Sequence, residues 1–295
     1  MSKDIVDIPA SIHSRLKNVA KKNNEFFENI LYRYVVERFL YRLGKSEYKN
    51  EFYLKGAFLF AIWEDIPHRT TRDIDFLGIT ADNIKILEKK FRKICSLNVS
   101  DDGLIFNPQS IKGEEIREGQ SYGGIRLKQI VMLGKAKIVL QIDVGFGDAV
   151  FPGPEENDVP TLLDMPAPKI QSYPLCTVIA EKLETLVVRG IENSRMKDFY
   201  DLWCLTKKFK IEKEELLTAI EKTFHRRKTL FPDNEPIALT KDFALNKTKH
   251  IQWNAFIRKN QINTDNTEFI QIILYLNNFF VPILKECSEK FINIP

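Results

Sequence analysis

Two aspartates, Asp73 and Asp75, stand two residues apart at the start of the apolar stretch Arg72-Asp73-Ile74-Asp75-Phe76. Side chains at positions i and i+2 of a strand share one face of a sheet, so the two carboxylates are predicted to lie close together. Like charges at that distance repel each other unless a cation lies between them. Hard oxygen donors favour Mg²⁺ over Zn²⁺ as that cation. The alternative is a solvated strand edge, of which a short D-x-D sequence is also typical.

A glycine turn precedes the aspartate pair. Phe52-Tyr53-Leu54-Lys55 is typical of a short strand, and an apolar helix is predicted after Gly56, from Ala57 towards Trp63. Glycine at such a turn allows the backbone to approach a ligand closely, and the N–H groups of the new helix favour phosphate. The alternative is that Gly56 is a simple connector. The predicted order is strand, glycine turn, helix and then the strand that carries the aspartates.

A third acidic residue, Asp143, lies in the β-prone run Ile138-Val139-Leu140-Gln141-Ile142-Asp143-Val144-Gly145. This run is predicted to form a hairpin with the preceding alternating segment, turning through Leu133-Gly134-Lys135-Ala136. A carboxylate in a buried strand costs several kcal/mol unless it is paired or coordinates a cation. Asp143 is therefore a candidate third metal ligand. The alternative places it at the strand end, in contact with water or with the Gly145-Phe146-Gly147 turn.

Four separated elements follow one another in a characteristic order. They are Lys55-Gly56, Arg69-x-Thr71-x-Asp73-Ile74-Asp75, Glu181-Lys182-Leu183 with Arg189, and Arg195-x-Lys197-Asp198-x-x-Asp201-Leu202. Through them the chain, over roughly residues 50 to 205, resembles the AbiEii-type nucleotidyltransferase toxins of bacterial toxin–antitoxin and abortive-infection systems, within the polymerase-beta-like superfamily. It departs from them at Ala57 and Phe58, where Gly or Ser and then a hydroxyl residue are usual. Backbone contacts to the nucleotide phosphates are therefore expected, without a side-chain hydroxyl contact.

The resemblance implies a reaction and a set of site residues. The reaction is Mg²⁺-dependent transfer of a nucleoside monophosphate from an NTP to an RNA acceptor, the 3′ end of tRNA, with toxicity relieved by a cognate antitoxin. Metal binding falls to Asp73, Asp75 and Asp143, and these three share the catalytic role with Lys182 and Asp201. The residues implied in nucleotide binding are Lys55, Gly56, Ala57, Arg69, Thr71, Lys182 and Arg189.

The lysine and its neighbours also have simpler interpretations. Lys182 and Arg189 are two turns apart on one face of a predicted helix, a position suited to a triphosphate. Alternatively, Lys182 is an amphipathic lysine beside the core. Asp201 is predicted to orient Lys182, or a water bound to the nucleotide. Arg195 and Asp198 are predicted to form an (i, i+3) ion pair with a structural role.

The predicted fold class is α+β, a polymerase-beta-type nucleotidyltransferase core with a small mixed sheet and helices, followed by a C-terminal helical bundle. Residues 1–50 are predicted as an N-terminal helical cover, helical from about residue 10 to 44. Residues 51–165 are predicted as the nucleotidyltransferase core and residues 166–295 as the C-terminal helical domain. Prolines accumulate between Phe151 and Pro174, which is typical of loop or edge structure at a boundary.

Composition excludes several other classes of protein. Apolar residues make up 44% of 295 residues, enough for a substantial core. The four scattered cysteines are typical of reduced thiols, and no serine–histidine–aspartate, zinc or Walker-type motif is present. The N-terminus lacks a signal-peptide pattern, and no stretch approaches the ~18 apolar residues of a membrane span. These observations predict a cytoplasmic protein without a membrane partner.

The net charge of +4 lies in the last third of the chain, where 15 Lys and Arg face 11 Asp and Glu from Thr206 onward. Its densest run, His225-Arg226-Arg227-Lys228, is a candidate docking surface for RNA, or simply a solvated helix face. Two alternatives to an RNA-modifying toxin remain. One is a nucleotidyltransferase acting on a small hydroxylated molecule such as an antibiotic. The other is a non-catalytic nucleotide-binding regulator, against which the intact carboxylate pair argues.

Overall fold

The computed structural model describes residues 7–63, 71, 73–116, 123–262, 264 and 266–292. The chain divides into two compact units. The sheet unit comprises Met1–Gly147 and Glu155–Ser172, and the helical unit comprises Asp148–Pro154 and Tyr173–Pro295. The three-part division predicted from the sequence stays a prediction. Among the described residues, no helix is both long and apolar enough to cross a membrane.

The sheet unit combines strands with helices. Its strands are β1 (Phe52–Lys55), β2 (Ile74–Gly78), β3 (Leu104–Phe106), β4 (Lys112–Ile116), β5 (Gly124–Leu133), β6 (Ala136–Phe146), β7 (Glu155–Asp158) and β8 (Lys169–Ser172). Its helices are α1 (Ile8–Asn23), α2 (Phe27–Lys45), α3 (Phe60–Trp63) and α4 (Ile84–Cys95), with 3-10 helices at Gly56–Leu59 and Pro108–Ser110. The segment predicted as helical from about residue 10 to 44 forms two helices, because Asn24 ends α1 in the left-handed region with a φ of 53°.

The strands form one mixed sheet in the order β3-β5-β6-β2-β1-β8-β7, and β4 also pairs with β5. β2 runs parallel to β6 and β1 runs parallel to β8, whereas the other pairs are antiparallel. The predicted hairpin of β5 and β6 is confirmed, with Gly134 at a φ of 55° in its turn. β2, which carries Asp75, is thereby enclosed between two partner strands.

One face of this sheet is covered by helices. We call the other the open face, because the side chains that β5 and β6 place on it are half-buried or exposed. On the covered face, Phe52 of β1 and Phe76 of β2 pack against Phe39 of α2 and Phe91 of α4, with ring centroids 5.1 to 6.3 Å apart. All four rings are buried, and each contributes roughly 1.5–3 kcal/mol on burial. Because successive side chains of a strand alternate between faces, Asp75 points to the open face from a strand that this cluster holds in place.

The helical unit consists of α5 (Leu175–Arg189), α6 (Met196–Lys208), α7 (Lys213–Arg227), α8 (Lys241–Leu245), α9 (Lys247–Asn260) and α10 (Phe269–Ile292), with 3-10 helices at Gly190–Glu192 and Ile237–Leu239. Its short early segment, Asp148–Pro154, is tied to α5 through Thr177. The Thr177 hydroxyl accepts a hydrogen bond from the Phe151 N–H and donates one to the Phe151 carbonyl, both at 3.0 Å. The predicted α+β fold with C-terminal helices is confirmed.

Candidate active site

A row of charged side chains crosses the open face of the sheet. In order across β1, β2, β6, β5 and β4, its members are Lys55, Asp75, Asp143, Arg126 and Glu114. Each residue is the direct register partner of the next one, so all five side chains share one face. The signs of charge along the row are positive, negative, negative, positive and negative. Two acidic residues therefore meet at its centre, on the parallel strands β2 and β6.

Asp73 joins these two acids. One carboxylate oxygen from each of Asp73, Asp75 and Asp143 lies within 4.8 Å of the others, and all three residues are half-buried. The Thr71 hydroxyl donates a hydrogen bond to Asp73 Oδ1 at 2.7 Å, which orients this carboxylate just before β2 begins. Three hard oxygen donors at this separation could hold Mg²⁺.

Arg126 holds the third carboxylate. Its Nε and Nη2 donate to Asp143 Oδ1 and Oδ2 at 2.8 and 2.7 Å, a bidentate pair on neighbouring strands. These hydrogen bonds raise the pKa of the Arg126 guanidinium above its ordinary value. Each carboxylate oxygen has two lone pairs, so the pair still leaves acceptor sites that a cation can use. Arg126 thus fixes the orientation of Asp143 and offsets part of the charge of the three acids.

Gly56 is required by the position of Asp75. Its φ of 71° lies in the left-handed region, and a Cβ added there would clash with Asp75 Oδ2. The glycine is therefore more than a connector, because it makes room for a carboxylate of the acidic cluster. The predicted helix after it starts as a 3-10 turn, in which Ala57 and Phe58 are buried. Contact of its N–H groups with phosphate stays a prediction.

Tyr32 of α2 is a further neighbour of the acids. Burial raises the pKa of its phenol, a hydrogen bond with the Gln141 backbone opposes this rise, and the charges of Asp73, Asp143 and Asp75 add to it. The phenol therefore stays protonated at neutral pH. Sequence reasoning missed Tyr32, because nothing in the local pattern of α2 connects it to strands more than 40 residues away.

A second cluster lies in the helical unit, around Lys182 of α5. Its ammonium group donates to Asp198 Oδ1 at 2.8 Å and to Asp201 Oδ2 at 2.7 Å, and both aspartates of α6 are buried. Arg195 Nε donates to Asp198 Oδ2 at 2.6 Å, so the predicted (i, i+3) ion pair is present. Burial favours the neutral form of Asp198, but Lys182 and Arg195 hold the pKa of its carboxyl below the ordinary value. The cluster presents a lysine of fixed orientation.

The remaining predicted site residues have different outcomes. Lys55 lies opposite Asp75 in the row described above. Arg189 is half-buried at the end of α5, on the same helix as Lys182. Arg69 lies outside the described residues. The structure brings Asp73, Asp75 and Asp143 together in the sheet unit, and it brings Lys182 and Asp201 together in the helical unit.

The basic run at the end of α7 does not form a uniform cationic surface. Arg227 lies among three acids, with Nη1 2.8 Å from Glu184 Oε2 and Nη2 3.3 Å from Asp148 Oδ1 and 3.4 Å from Glu181 Oε2. Its side chain is 19% exposed. Arg227 is therefore a structural cation of the helical unit, whereas its neighbours Arg226 and Lys228 remain candidates for docking a polyanion.

Comparison with known proteins gives a family match and two similar folds. Residues 38–272 match the family described as nucleotidyl transferase AbiEii toxin, type IV toxin–antitoxin system. A crystal structure of a Helicobacter pylori protein proposed to be a nucleotidyltransferase is similar at a TM-score of 0.50, with 15% identity, over 90% of this chain and 97% of that one. The crystal structure of JHP933 from H. pylori is similar at a TM-score of 0.49, with 14% identity, over 86% of this chain and 91% of that one. No curated protein matches the chain.

Proposed function

Because this chain belongs to the AbiEii family of nucleotidyl transferase toxins, and is therefore a nucleotidyltransferase of a toxin–antitoxin family, we propose that it modifies RNA. The reaction is transfer of a nucleoside monophosphate from an NTP to the 3′ end of an RNA, with tRNA as the acceptor. A hydroxyl oxygen of the acceptor forms a bond to the α-phosphorus of the NTP. The bond from that phosphorus to the oxygen bridging to the β-phosphate breaks, and pyrophosphate leaves. NTPs and tRNA are found in the cytoplasm, so the proposed reaction takes place there.

The observation that carries the proposal is the cluster of three carboxylates contributed by Asp73, Asp75 and Asp143. Their donor oxygens lie within 4.8 Å of one another, on the open face of the sheet. We assign Mg²⁺ to this cluster, with Asp73 and Asp75 as its main ligands. When bound, Mg²⁺ would neutralise triphosphate charge and lower the pKa of the acceptor hydroxyl. Thr71 keeps Asp73 oriented, and Gly56 leaves room for Asp75.

We propose that Asp143 completes the metal site as its third carboxylate ligand. A carboxylate beside the acceptor hydroxyl could instead act as a general base. Both of its oxygens already accept hydrogen bonds from Arg126, which favours a fixed ligand over a group that must take up a proton. A bidentate arginine also restricts rotation of the carboxylate, as expected of a residue that supports a ligand geometry.

Lys182 is assigned to the phosphates of the nucleotide, as the family resemblance implies, and Asp201 to holding it in position. The hydrogen bond of 2.7 Å between them supports the positioning role. A lysine is a compact point charge that stabilises the charge developing on phosphoryl oxygens. Arg189 and Arg69 are proposed as further phosphate contacts on the strength of the resemblance. The family also implies a cognate antitoxin that relieves the toxicity.

The test is an incubation of the protein with each labelled NTP, Mg²⁺ and total cellular RNA. We expect label on RNA of tRNA size, and prior oxidation of the RNA 3′ end should prevent it. Asp73→Ala or Asp75→Ala should reduce transfer by several orders of magnitude without lowering thermal stability, because repulsion among the acids is relieved. The matched control is Asp158→Ala, which removes an exposed carboxylate from the edge strand β7 of the same sheet.

Two results would contradict the proposal. Transfer at the wild-type rate by both aspartate variants would remove the acidic cluster from the reaction. Label on a small hydroxylated metabolite, with none on RNA, would instead identify a transferase acting on small molecules.

A further inference from the structure

The open face of the sheet continues well beyond the acidic cluster, along the hairpin of β5 and β6. Residues on this part of the face alternate with buried ones in β5, and with buried or half-buried ones in β6. We call it the hairpin strip, and it consists of Lys128, Ile130, Met132, Lys137, Val139 and Gln141, with Ile105 of the neighbouring strand β3. Their register pairs are Lys128 with Gln141, Ile130 with Val139, and Met132 with both Lys137 and Ile105.

The strip exposes apolar side chains that contribute little to stability. Val139 is 53% exposed and Ile105 is 68% exposed. The opposite side of the same strands is packed against helices and holds Leu140, which is fully buried. A long, partly apolar strand surface in contact with water is a feature of interaction sites. Its position on a strand that also carries Asp143 makes it continuous with the candidate active site.

The charges of the strip and its border favour a polyanion. Lys128 and Lys137 are exposed on the strip, and Lys112 of β4 is the register partner of Lys128 on the same face. The acidic neighbour is Glu114, 2.7 Å from Lys128, in a pair whose side chains are 47% and 56% exposed. Exposed pairs of this kind contribute little stability, so a phosphate can replace Glu114 as the partner of Lys128 at low cost.

We infer that the hairpin strip binds the 3′-terminal nucleotides of the RNA acceptor as a single strand leading to the acidic cluster. This inference rests on the proposed function. Val139 and Lys137 are four and six residues from Asp143 on the same face of β6, which corresponds to roughly 13 and 20 Å along the strand. The lysines contact phosphates, and the bases or riboses lie on Ile130, Met132 and Val139. The strip offers few groups that read base edges, so binding is tolerant of sequence.

The test uses a fluorescent RNA oligonucleotide with a free 3′ hydroxyl, whose binding is measured by anisotropy without NTP at several salt concentrations. Lys128→Glu with Lys137→Glu should weaken binding at least 10-fold. It should also reduce the log–log salt slope by about 1.4, since each lost phosphate contact removes about 0.7 on a single strand. Val139→Ser should weaken binding severalfold without changing the slope. The matched control is the double variant Lys85→Glu with Lys89→Glu. It changes two exposed lysines of α4, on the helix-covered side of the sheet.

Transfer assays with the same RNA separate the possible failures. In the double strip variant we expect the KM for RNA to rise and the KM for NTP to stay within twofold of the wild-type value. Lys137→Glu alone, the strip substitution far from Asp143, should show part of the same effect. One outcome is that the wild type transfers label to RNA but the strip variants bind RNA with the same affinity as the α4 control. In that case the strip inference is overturned and the proposed function stands. If the wild type transfers nothing to any RNA, the proposed function fails first.

Discussion

The buried ion pairs of Lys182 make a quantitative prediction about stability that is separate from its proposed role in catalysis. Lys182→Met keeps most of the apolar stem but removes the ammonium group that bridges Asp198 and Asp201. The Lys182 side chain is 13% exposed, and the two aspartate side chains are 2% and 0% exposed. Arg195 remains beside Asp198. Among the described residues, the variant therefore keeps the two buried carboxylates and the Arg195 cation, and it loses one of the two cations that contact them in the wild type.

Removing one partner from a buried ion pair costs about 3–5 kcal/mol, because the remaining charge is left uncompensated in a medium of low polarity. Since Arg195 still compensates one of the two carboxylates, we expect the lower end of that range. The free energy of unfolding should fall by about 3 kcal/mol at pH 7. The double variant Lys182→Met with Asp201→Asn should recover part of this loss, because it removes the second charge together with the first.

The pH dependence of the effect has a definite sign. Burial alone would raise the pKa of Asp198, but in the wild type Lys182 and Arg195 hold it below the ordinary value of 3.8. A carboxyl whose pKa is lowered on folding stabilises the protein above its unfolded pKa, and this contribution is lost as the pH falls through the folded pKa. Without Lys182 the Asp198 carboxyl loses the larger of the two charges that lower its pKa, so it protonates more readily. The difference in stability between wild type and variant should therefore be largest at neutral pH and shrink towards pH 4.

The measurement is urea unfolding at pH 7 and pH 5, followed by tryptophan fluorescence. In a Trp63→Phe background the remaining tryptophans, Trp203 and Trp253, both lie buried in the helical unit and report on it. A loss below about 1 kcal/mol, or one that is the same at both pH values, would refute the argument that Lys182 neutralises buried carboxylates. Any loss of transfer by Lys182→Met must accordingly be normalised to the folded fraction.

Three further perturbations test other features. Gly56→Ala should lower the free energy of unfolding by about 1–2 kcal/mol, because the backbone at Gly56 is left-handed. The added methyl group should also displace Asp75, so Mg²⁺ should no longer raise the melting temperature. An unchanged rise would contradict this. Arg126→Gln should lower the melting temperature without Mg²⁺ and increase the stabilisation that Mg²⁺ provides, since the three acids lose a counter-charge. A response to Mg²⁺ identical to that of the wild type would show that Arg126 does not offset the charge of the acids. Arg227→Gln should destabilise the protein by about 2–3 kcal/mol. The double variant Arg226→Gln with Lys228→Gln should leave stability unchanged. It should instead weaken the binding of long RNA and make that binding less dependent on salt concentration. Equal effects of the two changes on stability would contradict the assignment of Arg227 as a structural cation.

The parts of the fold that depend on local periodicity could be predicted from the sequence. The alternation of β5 and β6 and the Gly134 turn gave the hairpin, and the same alternation placed Asp143 on a strand. The hairpin register also contains the pairing of Arg126 with Asp143, because the two residues are equally distant from the turn. This ion pair can therefore be predicted from the hairpin sequence alone.

Features that depend on distant packing could not be predicted in this way. The parallel pairing of β8 with β1 joins segments more than 110 residues apart, and no local pattern specifies it. The run His225–Lys228 indicated a basic surface, yet Arg227 turns inward because three acids from other segments surround it. A run of charged residues in the sequence shows which side chains lie at a helix end. The tertiary fold decides which partners those side chains contact.

The early segment Asp148–Pro154 affects how the protein is made on the ribosome. The described strands of the sheet have all been synthesised once Ser172 has been added, whereas this segment belongs to the unit whose helices follow later in the chain. At about 5–20 residues per second, synthesis from there to Ile292 takes roughly 6–24 s. Phe151 and Asp148 are added 26 and 79 residues before Thr177 and Arg227, their partners on α5 and α7. The strands that carry Asp75 and Asp143 are therefore complete before most of the helical unit has been added.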